Sequence, residues 1–99
     1  MNATELKDKL QKNENVKILD VREKEEFEQN ETIPGAENMP MGKVFLEASK
    51  GILPKDTKIV TVCKLGTRCE IVARELKQKG YDIEHLEGGI DAWKQVSGE

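Results

Sequence analysis

Cys63 ends a run of apolar and β-branched residues, Ile59-Val60-Thr61-Val62, and opens the segment Cys63-Lys64-Leu65-Gly66-Thr67-Arg68. A thiol that follows a buried strand and precedes a helix start meets backbone N–H groups and the positive end of a helix dipole. Both favour the thiolate, which is the nucleophilic form. Gly66 lets the backbone curl so that successive amides point inward as an anion nest, and Lys64 and Arg68 add two cationic side chains. The expected pocket binds small anions beside the sulfur. Its chemistry would be attack by the Cys63 thiolate on the outer sulfur of a donor such as thiosulfate, expelling sulfite and leaving a persulfide that a thiol or cyanide then discharges.

Each of these residues also has a plainer reading. Cysteine at a strand end is often a buried small hydrophobe, and Lys64 and Arg68 could be solvated charges. Cys69 is either a resolving thiol for Cys63 or a small residue in the first helical turn; spacing alone leaves both open, because a bridge needs the sulfurs to face each other. Asp20 could cap a turn as readily as anchor a loop. His85 reads as an ordinary strand residue, and the Glu-rich stretch from Glu23 to Glu31 as a solvated face, neither assigned to a site. Trp93, Phe27 and Phe45 read as core anchors.

The elements that must position Cys63 are short and regular. Leu6 and Leu10, with Asn2 and Glu5 spaced as a capping pair, predict an amino-terminal helix. Val16 to Val21 predicts a buried strand ending at Asp20-Val21-Arg22. A short helix pinned by Phe27 follows, then a turn at Ile33-Pro34-Gly35-Ala36 and an extended piece through Met39. Val44 to Ala48 predicts a helix that stops near Gly51. Ile59 to Val62 gives the strongest strand signal, placed centrally in the sheet. A helix over about Thr67 to Lys79, with Ile71, Val72 and Leu76 inward, leads to a strand over Ile83 to Leu86, the Gly88-Gly89 turn and a last helix around Trp93. Strands alternating with helices predict an α/β domain, with a mainly parallel central sheet covered by helices on both faces.

The 99 residues have room for one domain over 1–99. Hydrophobic residues make up 36% and charged residues 35%, so the core must be compact and the helices densely charged outside. Sixteen Lys and Arg against nineteen Asp and Glu, mixed along the chain, offer no basic stripe for nucleic acid. The start of the chain lacks the apolar stretch of a signal peptide, and no apolar run approaches a bilayer-spanning length, so a cytoplasmic protein without membrane contact is expected. Two cysteines there are expected to be reduced thiols. A single histidine, remote from both cysteines, predicts no metal site, and no cofactor is expected.

Asp20-Val21-Arg22-Glu23 with Glu26-Phe27, Ile33-Pro34-Gly35-Ala36 with Asn38 and Pro40, Ile59 to Arg68, and Leu86-Glu87-Gly88-Gly89 with Ala92-Trp93 occur in one order over nearly the whole chain. In that order and spacing the sequence resembles a single-domain rhodanese, a rhodanese-like sulfurtransferase with a three-layer fold. The resemblance implies that Cys63 carries the sulfur, that the backbone of Lys64, Leu65, Gly66, Thr67 and Arg68 cradles it, and that the side chains of Lys64 and Arg68 attract the donor anion. It further implies that Asp20 and Arg22 help hold the loop. This chain departs from the family pattern at Glu31-Thr32, where Gly-His is frequent, and at Cys69, where many relatives have serine.

The expected partners are a small anionic sulfur donor, thiosulfate or a persulfide, and a thiol acceptor that could be a protein thiol, acting on a monomer. The competing expectation is a non-catalytic or sulfur-carrier module that docks on a redox or sulfur-trafficking partner. Anion reduction or phosphate-ester hydrolysis by the same thiolate is disfavoured. Cysteine phosphatases use a loop one residue longer, whereas only four residues separate Cys63 from Arg68 here, with Cys69 where their arginine would stand.

Overall fold

The computed structural model describes residues 1–97. Among these residues nine elements follow one another: α1 (Ala3–Gln11), β1 (Val16–Asp20), α2 (Lys24–Gln29), β2 (Glu37–Asn38), α3 (Met41–Ser49), β3 (Lys58–Val62), α4 (Thr67–Lys77), β4 (Ile83–His85) and α5 (Gly89–Ser97). All strand pairs are parallel, in the order β2-β1-β3-β4. This is the α/β architecture expected from the alternation of strands and helices.

The sheet pleat assigns successive side chains to opposite layers. Ile18, Val60 and Val62 pack with Leu6, Ile90 and Trp93, so α1 and α5 cover one face. Leu19 and Ile59 pack with Val44, Val72 and Leu76, so α3 and α4 cover the other. Thr61 has its hydroxyl on the α4 side, where it donates to the Cys69 carbonyl at 2.9 Å. One residue beyond β3, Cys63 belongs to this same layer.

The amino-terminal helix starts as the Asn2 and Glu5 spacing predicts, with the Glu5 amide donating to Asn2 Oδ1 and the Asn2 amide to Glu5 Oε1. Two expectations need correction. Phe27 is only half-buried and α2 has no buried residue, so this helix is not anchored by its aromatic. Ile71 is 36% exposed, because the inner face of α4 runs through Cys69, Val72, Ala73 and Leu76, and Ile71 lies about 100° around the helix from Val72.

The strand order reverses direction between β1 and β3: the chain leaves β1 toward β2 on one side and leaves β3 toward β4 on the other. Their carboxyl ends lie level, with Asp20 opposite Val62 and the Val21 amide donating to the Val62 carbonyl at 2.8 Å. In open parallel sheets such a reversal leaves a crevice at the strand ends where ligands collect. Cys63 stands at that point. Among the described residues, no helix is long and apolar enough to cross a membrane.

Candidate active site

Between β3 and α4 the chain turns within four residues, and Gly66 makes the turn possible. It adopts φ +104, a left-handed conformation open to glycine without strain, and it is the N-cap of α4. The curl brings two amides onto one atom. The Gly66 N–H donates to Cys63 Sγ at 3.1 Å and the Cys69 N–H, in the first turn of α4, at 3.4 Å. An anion at this position receives both hydrogen bonds and the positive end of the helix dipole.

The same geometry depends on α5. The Cys63 and Lys64 carbonyls accept the Ile90 and Asp91 amides at 2.8 and 3.2 Å. Gly89 sits flat against this backbone with φ +59. A Cβ there would overlap the Cys63 carbonyl oxygen and approach the Lys64 carbonyl oxygen to 2.5 Å. Gly89→Ala is expected to push the loop off its seat, destabilise the fold by about 2 kcal/mol and slow any Cys63 reaction at least about tenfold. Thermal melts and single-turnover kinetics check both effects.

Cys69 completes the surroundings of Cys63. Its sulfur lies 3.4 Å from that of Cys63, and both residues are buried, at 1% exposure for Cys63 and none for Cys69. The Cys63 thiol is held down to about 5, first by the S–H of Cys69 and then by the amides of Cys69, Gly66 and Arg68, against the opposing effect of burial. Cys69 is driven upward by its hydrogen bond to Cys63 and by its own burial, so it remains the protonated partner. The arrangement favours ionisation of Cys63, with Cys69 as the protonated sulfur beside it. The loop covers Cys63 almost completely.

The other residues singled out from the sequence divide into two groups. Lys64 and Leu65 are exposed, Lys64 reaching Asp91 at 3.4 Å, and Thr67 is exposed at the start of α4. Arg68 is half-buried and turned toward α2, where its guanidinium donates to both carboxylate oxygens of Glu26 at 2.7 and 3.0 Å. That pair holds the Glu26 carboxyl well below the usual carboxylate range. Reading the Glu-rich stretch as wholly solvated is therefore corrected at Glu26.

Asp20 and Arg22 form a buried pair: Arg22 Nε donates to Asp20 Oδ1 at 2.9 Å and Nη2 to Oδ2 at 2.8 Å. Arg22 Nη2 also donates to the Glu31 carbonyl at 3.1 Å. Among the described residues, these side chains bond each other and the segment after α2 rather than the Cys63 loop. Alongside lies a cleft of about 200 Å³ whose lining includes Arg22, Glu26, Lys64, Ile90 and Lys94.

Glu26 and Gly89 are the site residues that sequence reasoning passed over, although both fall within the segments quoted for the family resemblance. Because the Arg68–Glu26 pair is partly exposed, its loss should cost less than about 1 kcal/mol. Its charge matters more. Glu26→Gln removes a negative group from the mouth and frees Arg68, and the KM for a dianionic donor is expected to fall about two- to fivefold at low salt, the gain fading as salt rises. Steady-state kinetics at two ionic strengths check this.

The loop and fold together define a class. The family model for the rhodanese-like domain matches residues 2–96, and the chain belongs to that family. A sulfurtransferase of Allochromatium vinosum is 33% identical over 94 residues, covering 94% of this chain and 85% of its own length. YrkF of Bacillus subtilis, a candidate sulfur carrier protein, is 39% identical over 75 residues; the match covers 76% of this chain but only 39% of YrkF. A rhodanese-like domain protein from Staphylococcus aureus superposes with a TM-score of 0.80 at 33% identity, over 94% of this chain and 88% of that one. Among the described residues, no group of His, Cys, Asp or Glu is placed to hold a metal ion.

Proposed function

We propose that this chain is a sulfurtransferase that carries sulfane sulfur on Cys63. The observation that carries this reading is the convergence of the Gly66 and Cys69 amides on Cys63 Sγ at the reversal point of the sheet. In the first half-reaction the Cys63 thiolate attacks the outer sulfur of thiosulfate. The sulfur–sulfur bond breaks, sulfite leaves with its electron pair, and Cys63 holds a persulfide whose negative charge sits on the outer sulfur. A protein or small-molecule persulfide could donate in the same way. In the second half-reaction a thiolate or cyanide attacks that outer sulfur and Cys63 returns as the thiolate.

The residues divide the work. In the closed loop the amides of Gly66, Arg68 and Cys69 stabilise negative charge on the sulfur. Lys64 and Arg68 supply positive charge at the loop for an anionic donor. Because Cys63 is covered, loading requires the loop to open locally, which favours small donors or a partner that parts it. The direct test is burst kinetics with thiosulfate: sulfite should appear at one equivalent per chain before steady thiocyanate formation with cyanide. Sulfite release by a mechanism needing no Cys63 would end the reading.

The burial of Cys63 gives a specific reason for a second reading, a sulfur-carrier module that exchanges sulfur only when docked. It requires negligible turnover with thiosulfate and cyanide together with loading of Cys63 by a protein persulfide.

A further inference from the structure

Sulfur transfer as proposed above uses Cys63 and leaves Cys69 as a hydrogen-bond donor. The structure gives Cys69 more than that. Its sulfur is 3.4 Å from Cys63 Sγ, inside the same buried layer. The position is held from two sides, by Thr61 Oγ1 donating to the Cys69 carbonyl at 2.9 Å and by the Cys69 amide on Cys63 Sγ at 3.4 Å. A thiol kept this near an electrophilic sulfur reacts as an intramolecular partner, with no encounter to wait for.

We propose that Cys69 is a resolving thiol that discharges the Cys63 persulfide as hydrosulfide when no external acceptor is present. This rests on the persulfide reading. The Cys69 sulfur attacks Cys63 Sγ, a bond forms between the two cysteine sulfurs, and the bond from Sγ to the outer sulfur breaks. The outer sulfur leaves with the electron pair and takes the Cys69 proton, so hydrosulfide is released. The sulfane sulfur is reduced to sulfide and the two thiols are oxidised to a Cys63–Cys69 disulfide, with no outside oxidant. A dithiol reductant then opens the disulfide by two exchanges and restores both thiols.

Two features make the step feasible. Closing from 3.4 Å to a disulfide bond of about 2.05 Å needs a shift smaller than one bond length, across a loop that turns on Gly66. Loading Cys63 also moves its negative charge one atom outward. That weakens the hydrogen bond to Cys63 and the repulsion that together keep the Cys69 proton in place while Cys63 is a bare thiolate. The chain would then have two outlets for one sulfur: transfer to an acceptor thiol, or reduction to sulfide at the expense of a dithiol.

The test uses the whole chain, reduced, treated with thiosulfate or in a parallel arm with inorganic polysulfide, then desalted and incubated without thiol. Hydrosulfide is measured alongside intact mass and peptide mapping. The wild type should release close to one equivalent of hydrosulfide and end two hydrogens lighter, with Cys63 and Cys69 linked. Cys69→Ser and Cys69→Ala should keep one added sulfur on Cys63, with a lifetime at least about tenfold longer. If the wild type holds its added sulfur as long as these variants do, Cys69 is only a packing residue and the proposal falls while sulfur transfer stands. If no form gains sulfur on Cys63 from either donor, the persulfide reading itself fails. Should both variants misfold, the wild-type mass and hydrosulfide yield still decide.

Discussion

Cys63→Ser is expected to lower the rate of sulfite release from thiosulfate by more than about a thousandfold while leaving the fold intact. Serine occupies nearly the same volume, and its hydroxyl can still accept the Gly66 and Cys69 amides, so packing survives the change. What disappears is an ionised nucleophile. The loop that holds a thiol down to about 5 acts on an alcohol that starts many units higher, out of reach of a few hydrogen bonds. Circular dichroism should match the wild type while the sulfite burst is absent.

The second large effect concerns stability. Asp20→Ala should cost about 3–5 kcal/mol, because Arg22 is left buried without its carboxylate. For a chain of this size that is a large share of the total, and the melting temperature should fall by about 15 °C or more. The pair itself need not be favourable. Removing two charges from water is expensive, so Asp20→Ala with Arg22→Leu should recover much of what the single change loses. The double variant would still lack the Arg22 bond to the Glu31 carbonyl, so α2 should sit less firmly and Glu26 should hold Arg68 less well. Melting curves for both variants, compared with loading kinetics, separate the two effects.

Much of this arrangement is written locally. The β-branched run before Cys63, the glycine three residues after it and the helical spacing beyond identify a strand, a tight loop and a helix start, and their order dictates that amides meet the thiol. The capping residues Asn2 and Glu5 are equally local. Each of these features is decided within a few residues, where backbone conformation and periodicity act.

What the sequence hides is long-range. Glu26 is one of several carboxylates in a charged stretch, and only the fold selects it as the partner of Arg68, 42 residues away. Gly89 reads as half of a turn; its closeness to the Cys63 carbonyl arises from the packing of α5 against the loop. Ile71 and Phe27 look like core residues by type, but helix phase sets one outward and a short, shallow α2 leaves the other half-covered. The facing of Cys69 toward Cys63 follows from how tightly the loop curls, which spacing alone cannot fix. The near-complete cover over Cys63 is likewise a property of the folded loop.

Everything proposed for this chain depends on one sulfur being ionised at neutral pH by the Cys69 thiol and the amides around it. The most direct measurement is a titration of thiolate ultraviolet absorbance in the wild type and in Cys63→Ser. The deprotonated form absorbs, so the signal should rise with pH through a midpoint near about 5 and already be complete for one thiol at neutrality. That transition should be missing from Cys63→Ser. A wild-type chain with no thiolate until the ordinary thiol range near 9.0 would contradict the account.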